Sequence, residues 1–227
     1  MTVTALRSLL GFLHLRGLIA GPLAGAVPST ASWRLSGLPR ALEPEQLEAL
    51  LVSCDRGAPT GRRDYAVLVM LARLGLRRGE VAALKLEDVD WRAGELVIAG
   101  KGRRAERLPL PADVGEAIVA YLRDGRPATA LDRSLIVRVR APHHGLTSGG
   151  ITQIVFAAAA RAGLGPIHSH RLRHTAITQM LRAGASLEEI GQVLRHRQVL
   201  TIAIYAKVDR DALRQLARPW PETGGRS

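Results

Sequence analysis

Residues 63–74 read RDYAVLVMLARL, and Gly75-Leu76-Arg77-Arg78-Gly79-Glu80 follows at once. The first stretch is apolar on most sides, the composition of a helix buried at the centre of a helical domain rather than laid on its surface. Gly75 can stop that helix, because the residue just past a helix end commonly takes a left-handed conformation that glycine adopts without cost. Arg77 then emerges at a helix–helix junction, where its guanidinium is aimed rather than left floating, and Glu80, one turn further on, can orient it. Taken alone, Arg77 reads more simply as a cap on the preceding helix.

Upstream, Pro44 suits a first helical position and Leu47, Leu50 and Leu51 form an apolar stripe, so the compact domain begins near Leu42. Residues 5–19 (ALRSLLGFLHLRGLI) place Leu6, Leu9, Leu10, Leu13 and Leu15 near one helical face, and Gly21-Pro22, Gly25, Pro28-Ser29-Thr30 and Pro39 mark a linker. Downstream the periodicity shortens. Val89-Asp90-Trp91, Glu95–Ala99 and Glu106–Leu110 read as strands separated by Ala93-Gly94 and Gly100-Lys101-Gly102, a small antiparallel sheet on a helical domain. Residues 113–123 are helical, with Val114, Ala117, Ile118, Tyr121 and Leu122 on one face, and Leu135–Val139 is a further strand candidate. Thr147 caps a helix reaching about Arg161, Ser169 or His170 opens another that ends at Gly184, and Ser186-x-x-Glu189 is a capping box for a third reaching Leu194.

The totals narrow the partner. With 227 residues and 47% apolar content the chain can bury a real core, and 32 Lys+Arg against 20 Asp+Glu give a net charge of +12. Such a balance favours a polyanion, nucleic acid before acidic membrane, and most of the cations are arginine, which suits bidentate phosphate contacts. A merely solvated basic surface is the plainer account of the charge. Cys54 is the only cysteine, which excludes an intrachain disulfide framework and a cysteine-based zinc site and fits a reducing compartment. His14 and Arg16 interrupt the apolar N-terminal region, so neither a signal peptide nor a membrane span is expected.

Three further clusters carry chemistry. Gly100-Lys101-Gly102-Arg103-Arg104 presents a lysine on a hairpin tip whose glycines allow close approach to another surface, although in isolation it is an ordinary solvated turn. In His170-Arg171-Leu172-Arg173-His174, helical spacing puts His170, Arg173 and His174 on one face, imidazole beside guanidinium, as proton transfer next to an anion requires. His168, His170, His174 and His196 could instead offer nitrogens to zinc. Yet Arg171 stands where a helical His-Glu-x-x-His site has its glutamate, and Arg171 and Arg173 would repel a metal. Finally, Leu194-Arg195-His196 precedes Thr201-Ile202-Ala203-Ile204-Tyr205 in a chain with only three tyrosines. A lone tyrosine is usually a core aromatic with a satisfied hydroxyl. A free phenol, with a pKa of about 10, is ionised on the order of one part in a thousand at neutral pH, but cations around it would lower that pKa and let it attack phosphorus.

Together these clusters resemble the tyrosine recombinase (phage integrase) family over roughly residues 40–210. Gly75-Leu76-Arg77-x-x-Glu80 is similar to its first box, Gly100-Lys101-Gly102 to its hairpin lysine, and His170-x-x-Arg173, Leu194-x-His196 and Tyr205 to its second box. Each motif alone is weak. Their order is specific, with 24 positions from Arg77 to Lys101, 23 from Arg173 to His196 and 9 from His196 to Tyr205. Two positions depart from the pattern: Arg195 replaces the usual glycine before the second histidine, and Leu74 stands where threonine is common.

The resemblance implies a mainly helical (α+β) catalytic domain with a small three-stranded antiparallel sheet, and an activity of cutting and rejoining DNA through a 3′-phosphotyrosine. It implies Tyr205 as nucleophile, Arg77 and Arg173 as the clamp on the phosphate, Lys101 as the acid for the leaving 5′ oxygen, His170 as an acid/base partner and His196 as a further hydrogen bond, with Glu80 in support. No metal or other cofactor is called for. The implied partners are double-stranded DNA and further copies of the chain in a DNA-dependent synaptic tetramer, in a cytoplasmic, nucleoid-associated protein of a mobile element. Residues 1–41 are expected to be the last helix of an N-terminal core-binding domain with its linker, 42–218 the catalytic domain, and 219–227 a disordered tail. Asp209–Ala217, carrying Leu213 and Leu216, is expected to dock on a neighbouring protomer. The alternative is a truncated, catalytically impaired DNA-binding remnant of a mobile-element integrase; a relaxase-like nicking enzyme and a zinc hydrolase stand further off.

Overall fold

The computed structural model describes residues 3–27, 41–99 and 105–194. The hairpin tip at 100–104, Arg195, His196, Tyr205, the 209–217 segment and the 219–227 tail lie outside the described residues, as does the 28–40 part of the linker. The chain divides into two compact units, Met1–Leu38 and Pro39–Ser227. In the first, α1 spans Val3–Leu15 and a 3-10 turn spans Leu23–Gly25. The leucine pattern suggests a helix to residue 19, but α1 ends earlier because the Leu18 amide donates to Leu13 and the Gly17 amide to His14, a pair of bonds that closes the last turn. Leu15 is left exposed.

The second unit is built around one helix. α3 (Pro59–Arg73) packs against α2 (Pro44–Val52), α4 (Arg78–Ala83), α5 (Ala112–Asp124), α6 (Ser148–Arg161) and α7 (Ser169–Arg182). Every residue from Ala66 to Ala72 is buried, as an apolar helix at the centre of a core must be. α3 starts at Pro59, four residues before the apolar run, because Pro59 is pre-set for a helix's first turn and its missing N–H costs nothing there. Gly61 permits this start: a Cβ there would sit 1.8 Å from the Asp55 carbonyl oxygen.

β1 (Val89–Asp90), β2 (Glu95–Ala99) and β3 (Ala105–Pro109) form an antiparallel sheet in the order β1-β2-β3, with Glu95 opposite Pro109 and Ala99 opposite Ala105. β3 lies one residue earlier than the apolar pattern suggests: the Leu110 amide still bonds in register to the Gly94 carbonyl, but Gly94 has φ of +66° and the extended pairing stops there. Leu96, Ile98 and Leu108 face the core.

Leu135–Val139 is not a strand. Its one bridge is Val137 with Gly145, and Ser134 just before it bridges to Lys85, so no ladder propagates on either side. The segment is fixed by single bonds instead: Leu135 N–H to the Leu84 carbonyl, and Val137 N–H to the buried Tyr121 hydroxyl at 3.1 Å. Its apolar composition reflects burial of Leu135, Ile136 and Val137, which pattern alone does not separate from strand. Thr147 caps α6 by accepting from the Gly150 amide, and Ser186 with Glu189 forms the reciprocal box at the start of α8 (Leu187–Leu194).

Candidate active site

Gly75 has φ of +59°, the left-handed conformation that ends α3 and turns the chain into α4. That turn aims the Gly75 carbonyl at α7, where Arg173 donates to it from Nη1. Arg173 is only 2% exposed, so a charged side chain is drawn through the core and fastened at the α3–α4 junction. Arg77 lies at the start of α4 with an exposed side chain. Glu80 holds it twice, accepting from the Arg77 backbone amide at 2.7 Å and from Nη1 at 2.8 Å. The carboxylate that caps α4 thereby orients the guanidinium as well.

α7 completes the arrangement. Its first residues, Ser169 and His170, carry amide groups that have no acceptor within their own helix, and the positive end of the helix dipole lies there. Arg77, His170 and Arg173 line one cleft of about 550 Å³ together with Leu76, Arg78, Thr152, His168 and Ser169. Three of the residues singled out in the sequence therefore converge, with Glu80 behind Arg77. The other three, Lys101, His196 and Tyr205, lie outside the described residues.

The cleft is electropositive. Partial burial, with the Arg173 and Arg77 guanidiniums near, holds the His170 pKa below its ordinary 6.5, so the ring is neutral at pH 7 and free to accept a proton. His174 stacks edge-on against His170 with ring centroids 4.7 Å apart, and burial first, then His170 and Arg173, push its pKa down to about 4. An unfolded chain binds a proton at His174 near pH 6.5 while the native state refuses it until about pH 4. The native state is therefore fully favoured above pH 6.5 and loses stability as pH falls through that window. In urea titrations His174→Gln is expected to flatten the fall in stability between pH 6.5 and 4; an unchanged slope would contradict the assignment.

Thr152 is missed by sequence motifs. It accepts from Arg78 Nη1 at 3.1 Å and so bridges α6 to α4 across the cleft wall. Its only sequence signal is position, one turn into a helix whose start Thr147 marks. His168, a metal candidate by composition, packs edge-on to Phe156 at 5.0 Å. An anion with several oxygens fits this set of donors: two guanidiniums from different elements, a neutral imidazole, a serine hydroxyl and a helix N-terminus.

Comparison with known proteins places this cleft in context. Residues 40–211 match the phage integrase family. The chain is 51% identical over 224 residues to a Sinorhizobium fredii protein designated integrase/recombinase y4rA, covering 97% of this chain and 54% of y4rA. It is 40% identical over 191 residues to y4gC of the same organism, covering 82% of this chain and 98% of y4gC. The tyrosine recombinase XerC of Oceanobacillus iheyensis is 33% identical over 222 residues, with 94% and 70% covered. The chain thus spans about half of y4rA and nearly all of y4gC. Among solved structures, XerA recombinase aligns with a TM-score of 0.69 at 23% identity, covering 94% of this chain and 74% of XerA. A lambda integrase (75–356) dimer bound to a COC′ core site aligns with a TM-score of 0.70 at 15% identity, covering 97% and 74%. At those identities the likeness is one of fold: a helical domain carrying a three-stranded sheet.

Proposed function

Because this chain belongs to the phage integrase family, we propose that it supplies the catalytic part of a site-specific DNA recombinase, which cuts and rejoins duplex DNA through a 3′-phosphotyrosine on Tyr205. The observation that carries this reading is the convergence of Arg77, His170 and Arg173 on one cleft at the N-terminus of α7. In this reading the Tyr205 oxygen attacks the scissile phosphorus and passes its proton to neutral His170. The P–O5′ bond breaks, and Lys101 gives the 5′ oxygen its proton, because an alkoxide leaves poorly. Arg77 and Arg173 hold the non-bridging oxygens as their charge grows, and His196 adds a hydrogen bond. The phosphodiester energy is kept in the tyrosyl link, so rejoining needs neither ATP nor a metal.

Residues 42–218 form the catalytic domain in this proposal, and residues 1–41 contribute a helix and linker to a second DNA-clamping part. The chain assembles with further copies on DNA. Lambda integrase, of the same fold, has been solved as a dimer on a core site and as a tetramer on a Holliday junction. Among the described residues no helix is long and apolar enough to cross a membrane.

The test is a nicked suicide duplex, on which cleavage traps the protein covalently at a 3′ end. An adduct that forms in EDTA without ATP supports the proposal. DNA binding without an adduct on any nicked attachment-site candidate would leave a DNA-binding chain, and hydrolysis that EDTA stops would replace the mechanism. Arg77→Ala is expected to slow adduct formation about a hundredfold or more, the loss typical of one preorganised donor to an oxyanion. Its exposed pairing with Glu80 contributes at most about 1 kcal/mol to folding, so thermal melting should hardly move. The acid limb of the pH–rate profile should lie below 6.5, where His170 gains its proton.

A further inference from the structure

α6 separates two clefts. Thr152 faces the first; Gly150 and Gln153, with Arg161 at the last turn, line a second of about 490 Å³ on the other side. Among the described residues, none of those proposed for catalysis lines the second cleft. Its walls bring together Arg63 from α3, Arg138 and Arg140 from the segment before α6, and Arg161.

One carboxylate organises this group without neutralising it. Asp64 is 4% exposed and accepts from Arg63 Nε and Nη2 on a single oxygen, at 3.0 and 2.7 Å. Its other oxygen lies 3.8 Å from Arg161 Nη2, and Arg161 Nε is tied to the Ser53 carbonyl at 3.0 Å. Two guanidiniums are thus fixed in place by a buried acid. Arg138 and Arg140 are exposed, and among the described residues no carboxylate pairs with either. They stand two residues apart where the chain bends, and the Arg138 amide bonding to the His144 carbonyl ties that bend down. Four arginines face one aspartate. Four arginines around an open groove, two of them anchored and two presented to solvent, match successive phosphodiesters rather than a small neutral ligand.

We propose that this second cleft grips phosphodiester backbone away from the cleaved bond, through Arg138 and Arg140 with Arg63 and Arg161 behind them. The inference rests on the reading of the chain as a DNA enzyme but not on its covalent chemistry. The cleft sets how tightly duplex is held, whereas the first cleft sets what happens to one phosphate.

The experiment uses the full chain carrying Tyr205→Phe, so that no covalent step enters the binding measurement. Affinity for a fluorescent duplex of mixed sequence is followed by anisotropy across a salt series. Arg138→Gln/Arg140→Gln is expected to weaken binding on the order of tenfold and to reduce the slope of log K against log salt by about 2, one for each phosphate no longer neutralised. Arg138→Lys/Arg140→Lys should recover most of the affinity, since a point charge still meets a phosphate. Arg92→Gln/Arg123→Gln removes the same charge from elsewhere on the surface and should change binding far less. Melting by circular dichroism checks that each variant folds. Binding and slope equal to the parent would overturn the proposal, as would an equal loss in the Arg92/Arg123 control. So would reduced self-association without DNA and unchanged duplex binding, which would assign the cleft to an acidic segment of a second copy. An absent covalent adduct in the Tyr205 chain would sink the catalytic reading and leave this result standing.

Discussion

Arg173→Ala is expected to fail twice, in rate and in fold. On rate, the loss of a guanidinium aimed at developing negative charge costs about 3–4 kcal/mol of barrier, a hundredfold or more in adduct formation. On fold, the substitution empties space in the core and strips the Gly75 carbonyl of its donor. A buried acceptor left without a donor and a partly collapsed cavity together cost about 2–4 kcal/mol. Arg173→Lys separates the two. It refills much of the volume and keeps the charge, yet cannot present a fork both to Gly75 and to a phosphate. Urea titration should therefore show the lysine variant recovering stability, while its adduct formation stays well below the parent's. Equal rates for lysine and arginine would mean that Arg173 holds the α3–α4 junction and does not touch substrate.

Tyr205→Phe should remove the adduct entirely and leave duplex affinity nearly unchanged. The substitution deletes one oxygen, and no other side chain in this scheme can form the phosphoester. Arg77 and Arg173 remain to hold the phosphate, so binding and its salt dependence persist. Covalent capture by the phenylalanine variant would place the nucleophile elsewhere.

Much of the fold was legible because its decisive signals are local. The apolar run before Gly75 predicts the central helix, and Gly75 its end. Thr147 and Ser186–Glu189 announce helix starts by chemistry that acts within one turn. What escaped depends on partners far along the chain. Leu135–Val139 has strand composition, but whether a ladder forms is decided by Lys85 and Gly145, each of which offers one bridge. The turn at Gly17 ends α1 at Leu15, four residues before its hydrophobic pattern fades.

The candidate site divides along the same line. His170 and Arg173 share a helical face by spacing, and Glu80 reaches Arg77 across three residues, so local geometry carries both. That α7 passes its arginine to the Gly75 carbonyl is a contact over 98 positions, beyond any pattern of spacing. Thr152 beside Arg78, and the arginines gathered around Asp64, arise only when α3, α6 and the segment between α5 and α6 are brought together. Charge composition predicts a polyanion partner; the folded chain gathers some of that charge, three arginines in one cleft and four in the other, along one helix.

The most direct test is to locate the covalent bond itself. The parent chain is trapped on a nicked duplex, the DNA is trimmed with nuclease, and the peptides are sequenced by mass spectrometry. The account predicts one modified peptide, carrying a nucleotide remnant on the Tyr205 oxygen through a 3′-phosphate. A remnant on another residue, or a 5′-phosphate linkage, would contradict it.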